Sequence, residues 1–235
     1  DANSLYARSW FAAQRISPDP KEALRLSINT IMLLLNPDTN KIGSIFDRTL
    51  FAWDGQQNKA KKRDEKPPEY HATKALLKDV LEFMLGTVNV EHPEAEGDDI
   101  VATAVYNAKP DDLIYIVSGD KDLMQLQSRR CQYYSLNDKA VLSTAFIKHK
   151  FHNIKRPSQI AIELAIIGDQ VDNIRGIEGY GEVRCKKLFE AVTPEMCFSE
   201  AVNAIVAQLP EKQEKEFWQA LERTLLRNDL PNIPA

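Results

Sequence analysis

The chain has 235 residues, of which 43% are hydrophobic and 27% charged, and it carries a net charge of −4. This is the composition of an ordinary globular protein, long enough for one good core with a small helical subdomain. It shows no apolar run of membrane-spanning length and no recognisable signal peptide. Three widely spaced cysteines indicate neither a disulfide framework nor a zinc site, so we expect a cytoplasmic protein without a membrane partner.

The first quarter of the sequence predicts two helices and a strand. Residues 5–14 form the first predicted helix, which carries Arg8. Apolar residues then recur at helical spacing over 23–35 and predict a helix that covers a sheet. The apolar run 49–53 predicts a strand that ends at Asp54.

A basic segment, residues 56–74, follows this strand and lacks apolar periodicity. Its candidate functional cations are Lys59, Lys61, Lys62 and Arg63. A charge run of this kind is usually a solvated loop. That interpretation stands beside a functional one, in which the cations contact phosphates.

The central part of the sequence places carboxylates at the ends of apolar runs. Residues 113–117 are rich in β-branched side chains and end abruptly in Ser-Gly-Asp, which is typical of a buried parallel strand. Glu96, Asp98 and Asp99 stand at the start of the helix predicted for residues 99–108. Acidic residues suit a first helical turn. Several of them beside a second acidic pair repel one another, however, and hard divalent cations with oxygen ligands relieve that repulsion.

Short strands at 131–136 and 140–142 and a mainly helical remainder complete the pattern. Strands and helices that alternate predict an α/β fold with a mostly parallel, doubly wound central sheet flanked by helices. We therefore expect an α/β core over residues 1–142 and a helical region over 143–235.

A glycine-rich loop lies in the helical region, after the predicted helix 160–167. It contains Gly176, Gly179 and Gly181 and leads directly into a predicted helix over 182–191. Glycines permit tight turns and a close approach to a ligand, and a helix N-terminus offers backbone N–H groups to phosphate.

Five sequence blocks carry a resemblance to a known family. They are Asp1-Ala2-Asn3-Ser4-Leu5 with Arg8, Trp53-Asp54-Gly55, Glu96-Gly97-Asp98-Asp99, Ser118-Gly119-Asp120-Lys121-Asp122-Leu123, and Gly168-Asp169 to Gly181. In this order, over roughly residues 1–192, the blocks resemble the bacterial and phage branch of the 5′-nuclease (flap endonuclease) family, which has a PIN-like fold. A family member has an apolar strand before Asp1, so we expect the chain to be processed or trimmed there. Because no polymerase-like continuation follows, we expect a free-standing nuclease.

The resemblance implies two Mg²⁺ or Mn²⁺ ions held by nine carboxylates. One ion belongs to the side formed by Asp1, Asp54, Glu96, Asp98 and Asp99, and the other to Asp122, Asp169 and Asp172, with Asp120 between them. Without these nine, 25 acidic residues remain against 30 Lys and Arg, so the net charge of −4 does not exclude nucleic acid.

The resemblance also implies a DNA-binding surface. Residues 168–192 correspond to a helix–turn–helix element that grips duplex DNA and often holds K⁺, and Gly176, Gly179, Gly181, Arg184, Lys186 and Lys187 are its candidate contacts. The basic segment corresponds to the arch or clamp over the active site, and Arg8 faces the substrate.

The predicted function is therefore structure-selective, metal-dependent hydrolysis of DNA at or near 5′ ends and 5′ flaps, by a monomer that also has RNA–DNA hybrids as candidate substrates. A PIN-type ribonuclease is one alternative, although such chains are usually shorter and lack the loop 176–181. A catalytically silent binder of branched DNA is another, but it would lack one of the carboxylates.

Overall fold

The computed structural model describes residues 1–39, 42–43, 46–55, 66–84, 86–151 and 153–234. The helices are α1 (Ala2–Ala13), α2 (Lys21–Leu35), α3 (Pro68–Glu82), α4 (Gly97–Asn107), α5 (Thr144–Lys150), α6 (Ile160–Ile167), α7 (Glu182–Phe189), α8 (Phe198–Val206) and α9 (Glu211–Thr224). The strands are β1 (Thr49–Trp53), β2 (Thr87–Glu91), β3 (Ile114–Ser118), β4 (Cys131–Ser135), β5 (Ala140–Val141), β6 (Gly168–Asp169) and β7 (Ile174–Arg175). Two short 3₁₀ turns cover Asp122–Leu126 and Pro157–Gln159.

The longer strands pair in parallel, as the sequence predicted. β1 pairs with β2, and β3 pairs with β4, whose other edge carries the antiparallel β5. The predicted strands at 49–53, 113–117, 131–136 and 140–142 are confirmed to within a residue. Helices cover these strands, which gives the expected mixed α/β fold.

β2 escapes prediction from the sequence because polar residues interrupt it. Its central Asn89 is a residue that strands generally disfavour. In the fold this side chain accepts a hydrogen bond from Trp53 Nε1 (2.9 Å) and donates one to the carbonyl of Lys78 (3.0 Å). Two tertiary partners therefore offset the low strand propensity of Asn89.

An apolar groove of about 660 Å³ separates β1 from β3. Leu35, Leu50 and Ile116 are among the side chains that line it, and Asp1 lies at its edge. The described strands thus form two parallel ladders on either side of a groove. At their carboxyl ends α1 connects them.

The apolar interior consists of two clusters. The larger one joins α4, β3 and β4 to the helices from α6 to α9, and the smaller one packs α1, α2 and α3 against β1. The helices after residue 143 therefore share a core with the strands before it. A division into domains at residue 142 stays a prediction.

The expected basic segment 56–74 ends in regular structure. Its last seven residues belong to α3, which begins with Pro68 in the first turn, where proline is tolerated. Tyr70 packs edge-on against Trp10 and Tyr6, with ring centroids 5.2 and 4.9 Å apart. These aromatic contacts bury one side of α3 and explain a helix that apolar periodicity did not reveal. Lys59, Lys61, Lys62 and Arg63 lie outside the described residues.

Among the described residues, no helix combines the length and the hydrophobicity needed to cross a membrane.

One acidic residue lies inside the apolar helix α6. Glu163 is 5% exposed, and its Oε2 accepts a hydrogen bond from the backbone N–H of Asn153 (3.3 Å). Burial raises the pKa of Glu163 to about 7, although the hydrogen bonds with Asn153 oppose this shift and the charge of Glu182 adds to it. Because the folded pKa exceeds the ordinary value of 4.5, deprotonation costs the folded state free energy.

We expect Glu163→Gln to change the pH dependence of stability. The native protein loses stability as pH rises from about 4.5 to about 7, whereas glutamine keeps an oxygen acceptor and cannot ionise. Relative to the native protein, the variant should gain up to about 3 kcal/mol between pH 4.5 and pH 8. Urea unfolding across this range measures the gain, with exposed Glu190→Gln as the control. Parallel stability curves for the native protein and Glu163→Gln would contradict the prediction.

Candidate metal centre

The first turn of α1 brings the carboxyl ends of β1 and β3 together. Asp1 caps this helix, since its carboxylate accepts hydrogen bonds from the backbone N–H of Ser4 (3.0 Å) and from Ser118 Oγ (2.6 Å). Ser4 Oγ in turn accepts one from the backbone N–H of Gly119 (2.9 Å). Asp1 is therefore fixed at the end of β3, as a strand-end site in an open sheet requires.

Asp54, at the end of β1, is tied to the same turn. Its Oδ1 accepts hydrogen bonds from Asn3 Nδ2 and from the backbone N–H of Gly97, both at 2.9 Å. Gly97 opens α4, and a Cβ there would lie 2.8 Å from Asn3 Nδ2. Three elements thus meet around Asp54, and the glycine permits their close contact.

The carboxylates in the first turn of α4 have different surroundings. The charge of Asp98 acts at Asp1. The carboxylate of Asp99 accepts hydrogen bonds from the backbone N–H groups of Arg227 (2.9 Å) and Glu96 (3.4 Å). Asp99 therefore caps the helix and holds the C-terminal segment, and its role as a metal ligand stays a prediction.

A second carboxylate group forms where the 3₁₀ turn after β3 meets the β6–β7 hairpin. Oxygen atoms of Asp122, Asp169 and Asp172 all lie within 4.8 Å of one another. Asp120 stands beside this group, and its Oδ1 accepts the backbone N–H of Asp122 (3.0 Å). The structure thus brings together the three residues that the sequence resemblance assigned to one ion.

The electrostatics of the second group are unfavourable without a cation. Burial, together with the charges of Asp120, Asp172 and Asp169, raises the pKa of Asp122 to about 7. Among the described residues, the buried Asp122 Oδ1 has no hydrogen-bond partner, and the buried Asp169 Oδ2 has the ammonium of Lys121 2.6 Å away. Buried oxygens of this kind need either a proton or a cation.

The donor set fits a hard divalent ion. All three side chains offer carboxylate oxygens, the ligands that Mg²⁺ and Mn²⁺ prefer. Asp122, Asp169 and Asp172 would hold such an ion, and its positive charge would offset the repulsion among them.

Lys121 lies inside the second group. Its Nζ is 2.6 Å from Asp169 Oδ2. Burial acts to lower the pKa of Lys121, but the hydrogen bond and charge of Asp169, with the charges of Asp122 and Asp172, raise it overall. The ammonium is therefore a firmly charged partner of this group.

The β6–β7 hairpin connects the second group to the glycine-rich loop. Gly168 has φ +91°, and a Cβ there would lie 2.6 Å from the backbone nitrogen of Gly176. A Cβ at Gly176 would meet backbone atoms of Ile166 and Ile167 at about 2.5 Å, the same kind of contact. Glycine at both positions is thus required by packing of the loop against the end of α6.

Comparison with known proteins gives this arrangement a family. A family model described as the 5′-3′ exonuclease, N-terminal resolvase-like domain, matches residues 1–152. This chain belongs to the 5′-3′ exonuclease family. The matched region contains seven of the nine carboxylates, from Asp1 to Asp122, whereas Asp169 and Asp172 lie beyond its end.

Individual 5′-3′ exonuclease relatives are distant and mostly longer. The chain is 28% identical over 200 residues to a 5′-3′ exonuclease of Mycoplasmopsis pulmonis (strain UAB CTIP), an alignment that covers 80% of this chain and 64% of the relative. It is 26% identical over 248 residues to DNA polymerase I of Bacillus subtilis (strain 168), an alignment that covers 100% of this chain and 28% of the relative. The chain thus spans less than two thirds of these curated relatives.

A solved structure shares the 5′-3′ exonuclease fold. It is an aspartate-to-lysine variant of the bacteriophage T5 flap endonuclease, described as a pseudo-enzyme-product complex with DNA and metal ions. The likeness has a TM-score of 0.70 at 19% identity and covers 95% of this chain and 86% of that one. At this identity the likeness establishes the fold.

The predicted DNA contacts of this 5′-3′ exonuclease family member lie at the surface. Arg184, Lys186 and Lys187 are exposed on α7, and the Arg184 guanidinium lies 5.4 Å from the centre of the Tyr180 ring. Arg8 is exposed on α1 and donates a hydrogen bond to Asn137 Oδ1. Their contacts with DNA stay predictions.

The loop glycines differ in what they require. Gly179 has φ +78°, a conformation that favours glycine, as the sequence suggested. Gly181 was expected either to need an unusual backbone or to leave room for a phosphate. Its φ of −98° is ordinary and a Cβ would meet nothing within 4 Å, so the backbone argument fails there. The approach of a phosphate to Gly181 stays a prediction.

Several supporting residues were not singled out from the sequence. Asn3 and Ser118 hold carboxylates although they attracted attention only as parts of motifs. Tyr133 is fully buried, and its hydroxyl donates to the carbonyls of Ser118 (2.9 Å) and Asp120 (2.7 Å). A tyrosine in a strand carries no signal of such a role. Lys121 was visible in its motif, but only the fold reveals its ion pair with Asp169.

We expect Gly168→Ala to destabilise the protein by at least about 2 kcal/mol, because the new Cβ would meet two backbone atoms in a left-handed conformation. The matched control is Gly181→Ala, where space is open and φ is ordinary, and its stability should change by less than about 0.5 kcal/mol. Urea unfolding compares the two variants. Equal stabilities would show that the hairpin tolerates a side chain at residue 168.

Proposed function

We propose that this chain is a divalent-metal-dependent 5′ nuclease that hydrolyses DNA at or near 5′ ends and 5′ flaps. The observation that carries the proposal is the group of Asp122, Asp169 and Asp172, whose carboxylate oxygens lie within 4.8 Å of one another and of which Asp169 is buried. This group stands beside Asp120, at the end of a parallel strand where α/β folds place their sites. Membership of the 5′-3′ exonuclease family supports the same activity.

In this proposal two ions share the carboxylates. Asp1, Asp54, Glu96, Asp98 and Asp99 serve one ion, Asp122, Asp169 and Asp172 serve the other, and Asp120 lies between them. When bound, a pair of Mg²⁺ or Mn²⁺ ions supplies an activated water and stabilises the charge on the phosphate and the leaving oxygen.

The protein's own contribution is to orient the carboxylates. Asn3 and the N–H of Gly97 fix Asp54, and Ser118 fixes Asp1. Tyr133 holds the backbone around Asp120 in place through the carbonyls of Ser118 and Asp120. Rigid orientation of this kind is what electrostatic stabilisation of a transition state requires.

The finer substrate preference rests on the basic residues. Arg184, Lys186 and Lys187 are exposed beside the loop 176–181, where backbone N–H groups and the start of α7 favour a duplex phosphate and the carbonyls favour K⁺. Residues 59–63 supply cations for a single-stranded 5′ arm. Backbone contacts of this type also suit RNA–DNA hybrids, which are included as candidate substrates.

We expect cleavage of a labelled 5′-flap DNA to disappear in EDTA and to return with Mg²⁺ or Mn²⁺. Asp120→Asn and Asp169→Asn should each lower turnover by at least about 100-fold, since each removes charge that stabilises the transition state. Exposed Asp111→Asn, outside both carboxylate groups, should cleave at the native rate. Undiminished cleavage in EDTA, or native rates in Asp169→Asn, would reject the metal-dependent mechanism.

We expect two sets of basic residues to act on different substrates. The first set is Lys59, Lys61, Lys62 and Arg63, and the second is Arg184, Lys186 and Lys187. Alanine at the first set should weaken flap cleavage and flatten its salt dependence. Alanine at the second should weaken cleavage of every duplex-containing substrate and spare a short single strand.

The comparison uses flap, nicked, blunt and RNA-primed duplexes and a short single strand, digested side by side. Identical losses in both variants on all substrates would refute the division of labour. Cleavage of single-stranded RNA alone would favour a PIN-type ribonuclease, and binding without any cleavage would favour a silent DNA binder.

A further inference from the structure

Lys121 places a positive charge inside the second carboxylate group. The residue stands between Asp120 and Asp122, just after β3, and its Nζ lies 2.6 Å from Asp169 Oδ2. That oxygen is buried, and among the described residues the ammonium of Lys121 is the cation that balances its charge. The Asp169 side chain is 3% exposed, whereas that of Lys121 is 36% exposed. The pair therefore joins an inward-facing carboxylate to a side chain with a route to solvent.

The position of the ammonium matters more than the contact itself. One carboxylate oxygen from each of Asp122, Asp169 and Asp172 lies within 4.8 Å of the other two. Three carboxylates this close repel one another, and burial strengthens the repulsion. A buried carboxylate that loses its counter-charge is strongly destabilising. The lysine ammonium at this position therefore offsets part of the repulsion among the carboxylates, as a bound cation would.

We propose that Lys121 is an internal counter-ion, which partly neutralises the second carboxylate group through Asp169 in the metal-free protein and is displaced when a divalent ion binds there. This inference rests on the proposed function, because it requires a divalent ion at Asp122, Asp169 and Asp172. It adds a residue that controls how tightly the ion is held.

Two consequences follow from such an exchange. The metal-free protein is more stable with Lys121 than without it, since the ammonium offsets the repulsion. The divalent ion binds more weakly with Lys121 than without it, since binding must first break the ion pair with Asp169. A residue with opposite effects on stability and on metal affinity differs from a surface lysine, which should affect neither.

The test compares Lys121→Met with the native protein by calorimetric titration of Mn²⁺ and by thermal melting in EDTA. Methionine keeps a long unbranched side chain without the charge. We expect Mn²⁺ to bind Lys121→Met at least 10-fold more tightly, and the metal-free variant to melt at a lower temperature than the native protein. Lys150→Met removes an exposed lysine of α5 as the matched control, and should change neither quantity.

A double-mutant comparison assigns the effect to the second group. In an Asp169→Asn background, adding Lys121→Met should leave Mn²⁺ affinity unchanged within about twofold, because the partner of the ammonium is gone. Lys121→Arg, which keeps the charge, should keep the weaker native affinity. Lys121→Gln repeats the neutral substitution with a polar side chain and guards against a folding defect specific to methionine.

The outcomes separate the two proposals. If the native protein binds Mn²⁺ and Lys121→Met binds it equally or more weakly, the counter-ion inference is overturned and the nuclease proposal stands. If neither protein binds Mn²⁺, the metal-dependent function fails as well. A tightening that persists in the Asp169→Asn background would also overturn the inference, because the lysine would then act elsewhere.

Discussion

Mutual repulsion among carboxylates is the constraint that this fold must overcome. The fold gathers acidic side chains at the ends of β1 and β3, where each would lower its free energy by moving apart. Short hydrogen bonds prevent this, as Ser118 does for Asp1 and Asn3 for Asp54. These donors come from α1 and from a strand end, so regular secondary structure positions the carboxylates. The cost of gathering them is met by packing in the two apolar clusters.

The two halves of the site are held by different means. Around Asp54 and Asp1, neutral donors position the oxygens. Around Asp122 and Asp169, a charged side chain, Lys121, takes part. This difference follows from burial, because Asp169 is almost fully enclosed and a neutral donor would leave its charge uncompensated. The same contrast makes the second half the more sensitive of the two to whatever cation is present.

The sequence was sufficient to predict the parts of this arrangement that depend on the pattern of neighbouring residues. The apolar run ending at Ser118 predicted both a strand and a carboxylate at its end, because strand periodicity and burial are written into neighbouring residues. The grouping of Asp122 with Asp169 and Asp172 came from family resemblance, since nothing local connects residues 47 apart. β2 and the start of α3 were missed because distant partners, Trp53 for one and Trp10 for the other, stabilise them. Contacts between residues far apart in the sequence produce no periodic pattern of apolar residues.

The short β6–β7 hairpin has a thermodynamic consequence. It contains Asp169 and, one residue beyond its second strand, Gly176, and the backbones of Gly168 and Gly176 are in close contact. A displacement of the loop therefore reaches the carboxylate through backbone atoms alone. Should a ligand of the loop change the affinity of Asp169 for a cation by some factor, the cation must change the affinity of the loop for that ligand by the same factor. Under this coupling, binding of a ligand to the loop is detectable as a change in cation affinity at Asp169.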